Sequence, residues 1–260
     1  MGARLGQHFL FDPLILGRIA DASGVGPEDT VVEIGPGPGA LTRELASRAK
    51  KVIAIELDTA LHAKLQAALH DEGIGNVELH RGDALRFNYS AIEPFKVCAN
   101  IPYQITTPLI FLLLEQRDRL HSMTLTIQRE VALRIASGPG SKDYGVLSLA
   151  VQYHGEPELM FSVPASAFRP PPKVESACLR ITMRTAPPVS VRDEALMFKV
   201  IRAGFGMRRK TLHNSLGRLA PDIDGVLKVA GVDPKLRAER LSMAEFAAIA
   251  DALIVEGAID

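Results

Sequence analysis

The feature that most constrains the fold of this chain is a glycine-rich loop between an apolar strand and a helix. Residues 30–34 form a β-branched run that predicts a buried parallel strand. This run leads directly into Gly35-Pro36-Gly37-Pro38-Gly39, after which residues 40–46 have the pattern of a helix. Glycine adopts dihedrals closed to other residues and lets the backbone approach a ligand closely. The order strand, glycine loop, helix therefore predicts an α/β fold with a ligand-binding loop.

Acidic residues follow two further predicted strands. Residues 51–55 predict a second strand, and Glu56 comes directly after it. At about twenty residues past the first glycine, a carboxylate can accept hydrogen bonds from two ribose hydroxyls. Residues 77–80 predict a third strand, and Asp83 after it is expected beside an adenine. The loop differs from the dinucleotide fingerprint G-x-G-x-x-G because its third glycine comes one residue early.

The tetrapeptide Asn100-Ile101-Pro102-Tyr103 follows a fourth apolar run, residues 95–99. An Asn side-chain oxygen and a backbone carbonyl fixed by a following proline can accept both N–H bonds of an exocyclic amine. The adjacent tyrosine offers a flat face on which a base can stack. A strand running into a tight turn is the simpler interpretation. The ligand loop upstream favours a site that presents a nucleobase amine to an electrophile.

Strand and helix patterns alternate through about residue 184, which predicts a mixed, mainly parallel sheet. Residues 124–127 predict a fifth strand, and residues 129–136 predict a helix. Three later apolar runs predict antiparallel strands at the sheet edge: residues 145–153, 159–163 and 177–181. After a linker at residues 186–190, helices are predicted at 193–205, 209–219, 225–230 and 243–254, the last capped by Ser242. We therefore expect an α/β domain over residues 1–185 and a small all-helical domain over residues 190–260.

Composition narrows the class of protein. The chain has 260 residues and 47% apolar content, which is enough for a packed core. Its two cysteines, Cys98 and Cys178, lie in apolar runs and are predicted to be buried free thiols of a reducing compartment. The seven histidines lack metal-ligand spacing, and no apolar stretch reaches the roughly eighteen residues of a membrane span. A soluble cytoplasmic protein without a metal is expected.

The net charge of zero argues against a nucleic-acid partner, but the distribution of charge favours one. Residues 199–218 contain six Lys or Arg residues and no acid. Such a stripe is typical of phosphate binding, although a solvated helix face has the same composition. Because it accompanies a base-presenting motif, we interpret it as a contact surface for RNA or DNA.

The glycine loop, Glu56 and Asp83 resemble the S-adenosylmethionine-dependent methyltransferases with a Rossmann-like sheet. Residues 5–10 (LGQHFL), 168–177 (FRPPPKVESA) and 205–216 (FGMRRKTLHNSL), with the tetrapeptide at 100–103, resemble the small-subunit ribosomal RNA adenine N6-dimethyltransferases. The resemblance runs from Gly6 to at least Leu216. It implies an enzyme that places two methyl groups from S-adenosylmethionine on each of two adjacent adenosines. Their expected position is the loop of the 3′-terminal hairpin of 16S rRNA, in the 30S subunit or its late precursor.

The resemblance also implies a role for each matching residue. The residues implied in catalysis are Asn100, Ile101, Pro102, Tyr103 and Phe168, with Tyr103 and Phe168 clamping the flipped base. Those implied in cofactor binding are His8, Leu10, Gly35, Gly37, Glu56, Asp83, Ala84 and Asn100, and those implied in RNA binding are Arg208, Arg209 and Lys210. The family usually has Asn at the position of His8 and Gln at that of Met207, so the roles of these two side chains are open.

We expect these residues to act by orienting the adenine amine toward the methyl group. Acceptors at Asn100 and Ile101 draw the adenine nitrogen toward a tetrahedral shape and direct its lone pair at the methyl group. No strong general base is needed, because the surplus proton can leave to water. A monomer is expected.

Three other functions share parts of this pattern. A macrolide-resistance 23S rRNA adenine dimethylase has the same catalytic motif, but residues 170–177 and 205–216 favour the small-subunit enzyme. A non-catalytic ribosome-assembly factor would have no reason to keep Asn100, Glu56 and Asp83 together. A DNA adenine methyltransferase typically has Pro in place of Ile101 and a separate sequence-reading domain.

Overall fold

The computed structural model describes residues 8–207 and 209–255, so the predictions for Gly6, Gln7 and Arg208 lie outside the described residues. Contacts divide the chain into two compact units. A sheet unit contains the described residues up to Ala132 together with Gly155–Met183, and a helical unit contains Leu133–His154 together with the described residues from Arg184 onward. None of the helices within the described ranges combines the length and the apolar character that a membrane span requires.

The sheet unit is built on one seven-stranded sheet with the order β4-β3-β2-β5-β6-β9-β7. Its strands are β2 (Thr30–Ile34), β3 (Lys51–Glu56), β4 (Val77–Arg81), β5 (Phe95–Asn100), β6 (Leu120–Gln128), β7 (Gly155–Val163) and β9 (Ser176–Met183). The helices along this part of the chain are α1 (Pro13–Ser23), α2 (Ala40–Ala46), α3 (Thr59–Asp71), α4 (Thr106–Leu114) and α5 (Arg129–Ala136). The predicted mixed, mainly parallel sheet is confirmed.

The parallel part of the sheet positions the glycine loop. Strand β2 pairs with β3 on one side and with β5 on the other, so that Val32 lies opposite both Ile53 and Val97. All three side chains are buried, as the apolar runs predicted. Chain order reverses on the two sides of β2, and ligands of open α/β sheets bind at the carboxyl ends of strands at such a switch point.

The edge of the sheet is antiparallel. Strand β9 pairs with β6, and β7 pairs with β9, which confirms the strands predicted at residues 159–163 and 177–181. The strand predicted at residues 145–153 is wrong, because Val146–His154 forms helix α6. Leu149 and Tyr153 on this helix are buried in the core of the helical unit. A short apolar run does not by itself distinguish a strand from a buried helix, and tertiary packing decides.

A separate two-stranded ribbon joins distant parts of the sheet unit. Strands β1 (Phe9–Leu10) and β8 (Phe168–Arg169) pair antiparallel, with Leu10 opposite Phe168. Leu10 and Phe168 are both buried within one apolar cluster, whose members include residues of α1 and β2. The ribbon therefore anchors the chain just before α1 to the segment that follows β7.

The helical unit packs α6 together with α7 (Glu194–Gly206), α8 (Leu212–Leu216), α9 (Ile223–Val229) and α10 (Met243–Val255). The predicted cap of the last helix is confirmed. The Ser242 hydroxyl accepts the N–H of Glu245 at 3.3 Å, and the Glu245 carboxylate accepts the N–H of Ser242 at 2.7 Å. The domain boundaries at residues 185 and 190 stay a prediction, since contacts group α6, which precedes them, with these helices.

Candidate active site

A cavity of about 720 Å³ opens at the carboxyl ends of the parallel strands in the sheet unit. Its wall comes from the ends of β2, β3 and β5, from the loop after β4, and from His8 and Phe9. The volume lies within the range of small-molecule and cofactor sites. Of the residues predicted to bind a cofactor, the wall includes His8, Gly35, Glu56, Asp83, Ala84 and Asn100.

The glycine loop needs its glycines. Gly35, Gly37 and Gly39 have φ values of 67°, 56° and 85°, which are unfavourable for residues with a side chain. A Cβ atom added to Gly37 would lie 2.8 Å from the Phe9 ring, and one added to Gly39 would overlap the Leu65 side chain. The loop therefore packs its backbone directly against neighbouring side chains, while the predicted close approach to a ligand stays a prediction.

Glu56 is buried, and both of its carboxylate oxygens accept backbone hydrogen bonds. The Gly37 N–H donates to Oε2 at 3.0 Å, and the Asp58 N–H donates to Oε1 at 2.8 Å. The carboxylate thus joins the glycine loop to the start of α3. Each oxygen of a carboxylate can accept more than one hydrogen bond, so Glu56 can also accept the hydroxyls of a ribose.

Glu33 lies one residue before the end of β2, and its surroundings differ. Its Oε2 is buried without a hydrogen-bond partner among the described residues. Burial, with the nearby carboxylate of Glu56 acting in the same direction, raises the pKa of Glu33 from the usual 4.5 to about 8. Glu33 is therefore mainly protonated at neutral pH. The sequence showed that a glutamate precedes the loop but not that it is buried.

Asp83 and Ala84 form the third part of the cavity wall. The Asp83 Oδ1 accepts the N–H of Leu85 at 2.9 Å and caps a short 3₁₀ turn, Ala84–Arg86. The Ala84 carbonyl accepts the Tyr89 hydroxyl at 2.9 Å, and the Tyr89 side chain is buried. These bonds hold the turn, so the Asp83 carboxylate keeps a fixed position at the end of β4.

The orientation of the Asn100 amide is determined by a backbone atom. Its Nδ2 donates to the His8 carbonyl at 3.0 Å. A carbonyl oxygen can only accept, so the nitrogen of the amide must face His8, and the side-chain oxygen must face the other way. Asn100 therefore presents an acceptor at the cavity, as the proposed grip on an amine requires.

The rest of the tetrapeptide is firmly held. Ile101 is buried, and its N–H donates to the Thr126 carbonyl at 3.2 Å. The Tyr103 hydroxyl forms a 2.7 Å hydrogen bond with the Ser176 Oγ, and the Tyr103 ring lies 5.8 Å from the His8 ring. Burial raises the pKa of Tyr103, which keeps its hydroxyl neutral. Ser176 lies in the motif at residues 168–177, but nothing in that motif indicates this hydrogen bond.

Three residues predicted for catalysis or cofactor binding, Gly37, Leu10 and Phe168, do not belong to the cavity wall. Leu10 and Phe168 lie elsewhere. Both side chains lie in the apolar cluster beneath the β1–β8 ribbon, and neither belongs to the cavity wall. Phe168 is only 2% exposed, so its ring has no free face for a base. Stacking by Phe168 stays a prediction, and it requires the ring to leave this cluster.

The predicted RNA-binding residues lie in the helical unit. Arg209 and Lys210 are exposed between α7 and α8, and the Lys210 N–H donates to the Met207 carbonyl at 2.8 Å. Arg208 lies outside the described residues. Exposed cations beside a helix end are accessible to phosphates.

Comparison with known proteins agrees with this geometry. The model of the ribosomal RNA adenine dimethylase family matches residues 2–254. The chain belongs to this family. The ribosomal RNA small subunit methyltransferase A of Pelotomaculum thermopropionicum is 46% identical over 97% of this chain and 91% of its own length. The protein of the same name from Moorella thermoacetica is 46% identical over 95% and 91%.

Solved structures give the same result. A dimethyladenosine transferase from Plasmodium falciparum has a TM-score of 0.82 at 26% identity, covering 96% of this chain and 98% of its own. The 23S rRNA methyltransferase ErmE has a TM-score of 0.74 at 29% identity, covering 95% and 99%. The predicted family is therefore confirmed, and with it the enzyme class, an S-adenosylmethionine-dependent rRNA adenine dimethyltransferase.

Proposed function

We propose that this enzyme dimethylates the N6 amines of two adjacent adenosines in the loop of the 3′-terminal hairpin of 16S rRNA. The substrate is the 30S subunit or its late precursor, and the enzyme acts as a monomer in the cytoplasm. The choice of RNA rests on relatives named small subunit methyltransferase A, which are 43–46% identical to this chain, against 29% for ErmE. The observation that carries the chemistry is the orientation of the Asn100 amide.

The cavity fits S-adenosylmethionine by size and by its polar groups. Bound there, the cofactor supplies an electrophilic methyl group on a sulfonium. The backbone of Gly35 and Gly37 and of Leu10 would lie along its methionine part, and Glu56 would accept the ribose hydroxyls. Asp83, with Ala84 beside it, would accept the amine of its adenine. Two observations support this assignment: the close packing of the glycine loop and the hydrogen bond from the Gly37 N–H to Glu56.

The target amine is held by acceptors. The Asn100 Oδ1 and the Ile101 carbonyl accept its two N–H bonds, which directs the nitrogen lone pair away from the ring plane. Both acceptors are held before the substrate arrives, by the His8 carbonyl and by the pairing of Ile101 with β6. Preorganised acceptors of this kind stabilise a transition state without reorganisation.

The base and the RNA backbone need separate contacts. Tyr103 would stack on one face of the flipped adenine, with its ring held through the bond to Ser176. Arg209 and Lys210, with Arg208, would neutralise phosphates of the hairpin. Flipping costs less in a hairpin loop than in a duplex, because loop bases are partly unstacked.

The central experiment incubates the protein with undermethylated small subunits and labelled S-adenosylmethionine, followed by mass analysis of the nucleosides. We expect dimethyladenosine in the 3′-terminal hairpin. Unmethylated large subunits form a parallel arm. Product only in that arm would favour the macrolide-resistance activity, and product in neither arm would contradict the proposed function.

Replacing Asn100 by Ala tests whether its side-chain oxygen binds the amine. We expect Asn100→Ala to reduce methyl transfer at least a hundredfold, in line with the loss of one preorganised hydrogen-bonding group. Affinity for the cofactor product, measured by calorimetry, should stay within a few-fold of wild type. Asn88→Ala, an exposed asparagine outside this cavity, is the matched control. A collapse of cofactor affinity in Asn100→Ala would instead place Asn100 chiefly in the cofactor site.

A further inference from the structure

His8 makes three contacts that place it in the reacting part of the cavity. Its carbonyl accepts the Asn100 amide, its Nδ1 lies 2.7 Å from the Pro170 carbonyl oxygen, and its ring lies beside Tyr103. The backbone of His8 therefore contacts the residue proposed to bind the amine, and its imidazole is held beside the residue proposed to stack on the base.

The contact with Pro170 determines the tautomer of neutral His8. A carbonyl oxygen is only an acceptor, so Nδ1 must carry the hydrogen. The other ring nitrogen, Nε2, then has a lone pair and no proton. Within the part of the chain that the structure describes, Nε2 has no hydrogen-bond partner. A fixed imidazole with a free basic nitrogen at a cavity wall is suited to accept a proton.

We infer that His8 accepts, through Nε2, the proton that the adenine N6 loses in each methyl transfer. The inference rests on the proposed function and replaces water as the first proton acceptor. As N6 bonds to the methyl carbon, the carbon–sulfur bond breaks and its electron pair stays on sulfur. N6 then carries the positive charge, and one of its two protons leaves its acceptor and passes to Nε2. The imidazolium keeps its bond to the Pro170 carbonyl and releases the proton to solvent.

The groups around His8 favour this transfer. The acidic residues Glu56, Asp58 and Asp83 line the same cavity as His8. The one cation on the ribbon strand facing His8, Arg169, lies with its guanidinium 4.1 Å from the centre of the Phe11 ring. Tyr103 stays neutral, as its raised pKa shows, and adds no competing charge.

Asparagine, the usual residue of the family at this position, provides a sharp test. Its amide can donate to the Pro170 carbonyl and offer an oxygen acceptor, but it cannot take up a proton. His8→Asn therefore keeps the hydrogen bonds and removes only the basicity. His70→Asn, on an exposed histidine of α3, is the matched control.

The experiment measures single-turnover methyl transfer to undermethylated small subunits from pH 5 to 9. We expect the wild-type rate to rise about tenfold per pH unit in the acid range and to level off once the imidazole is neutral. His8→Asn should lose this acid limb and run about tenfold slower on the plateau. His70→Asn should retain the wild-type profile. A His8→Asn variant with an unchanged acid limb would overturn the inference.

A second measurement does not depend on turnover. Nitrogen-15 NMR of the wild-type protein at pH 8 should show the His8 Nδ1 protonated and Nε2 unprotonated. The opposite tautomer would overturn the inference even if His8→Asn failed to fold. A wild-type protein that methylates no small subunit at any pH would instead contradict the proposed function, because the tautomer would be unaffected.

Discussion

Two glutamates at neighbouring strand ends, Glu33 on β2 and Glu56 on β3, are almost equally buried, with 2% and 3% of their surface exposed. Both carboxylate oxygens of Glu56 accept a backbone N–H bond. Glu33 has one oxygen without a partner among the described residues, and burial raises its pKa to about 8. Two carboxyl groups with nearly the same burial can therefore differ in the hydrogen bonds that they receive from the backbone.

This difference in hydrogen bonding gives Glu56 and Glu33 different roles. Glu56 offers a negative charge at the cavity wall, where the hydroxyls of a ribose would donate. Glu33 is not part of that wall, and a neutral carboxyl group beneath the loop avoids a second negative charge beside Glu56.

The largest effect should come from Glu56→Ala. This change removes the proposed ribose acceptor and leaves the N–H groups of Gly37 and Asp58 without an acceptor. Each lost bond to a charged group is worth about 1.5–3 kcal/mol, so cofactor affinity should fall by a hundredfold or more. Calorimetry with the cofactor product measures this, and Glu158→Ala on the exposed edge strand is the control. Wild-type affinity in Glu56→Ala would remove Glu56 from the cofactor site.

An intermediate effect is expected from Glu33→Gln, and it should depend on pH. The folded-state pKa of Glu33 lies above its unfolded value, so the native state binds more protons between about pH 4.5 and 8. Wild-type stability contributed by Glu33 is therefore full below about pH 4.5 and is lost as pH rises to 8. Glutamine does not titrate, so Glu33→Gln should gain roughly 1.4 kcal/mol relative to wild type for each pH unit within this range.

Urea unfolding of both proteins at several pH values between 5 and 9 checks the sign. Curves of unfolding free energy that stay parallel over this range would show that Glu33 does not change its proton between folded and unfolded states. The raised pKa of Glu33, on which the comparison between the two glutamates depends, would then be contradicted.

The smallest effect should come from Asp83→Asn. Asparagine keeps an oxygen for the Leu85 N–H, so the turn and the melting temperature should be unchanged. The Asp83 side chain is 39% exposed, and an exposed acceptor contributes less than a buried one. We expect cofactor affinity to fall about threefold to tenfold. A loss as large as that of Glu56→Ala would show that the exposure of Glu56 and Asp83 does not determine how much each contributes to cofactor affinity.

Much of the fold follows from local sequence. The strands at residues 30–34 and 51–56 were predicted because both are buried on both faces and are bounded by turn residues. Helix α6 was mispredicted because its apolar residues are set by packing in the helical unit, which no local pattern records. The β1–β8 ribbon pairs Leu10 with Phe168, far apart in the chain, through two residues on each strand. Such a short pairing leaves no periodic signal.

The candidate site was predictable to a similar extent. Residue type and position indicated Glu56, Asp83 and Asn100, because each lies at or just after the end of a predicted strand. The burial of Phe168 and the link between His8 and Pro170 depend on the ribbon, so the sequence could not reveal them. The charge state of Glu33 depends on the lack of a hydrogen-bond donor to its Oε2 among the described residues, which only the structure shows.

The hydrogen bond from Asn100 to the His8 carbonyl has a consequence for how this site can change over evolution. The atom that orients Asn100 belongs to the main chain, which every residue type supplies. A substitution at position 8 can therefore change the side chain at this wall of the cavity while the backbone acceptor that orients Asn100 is retained.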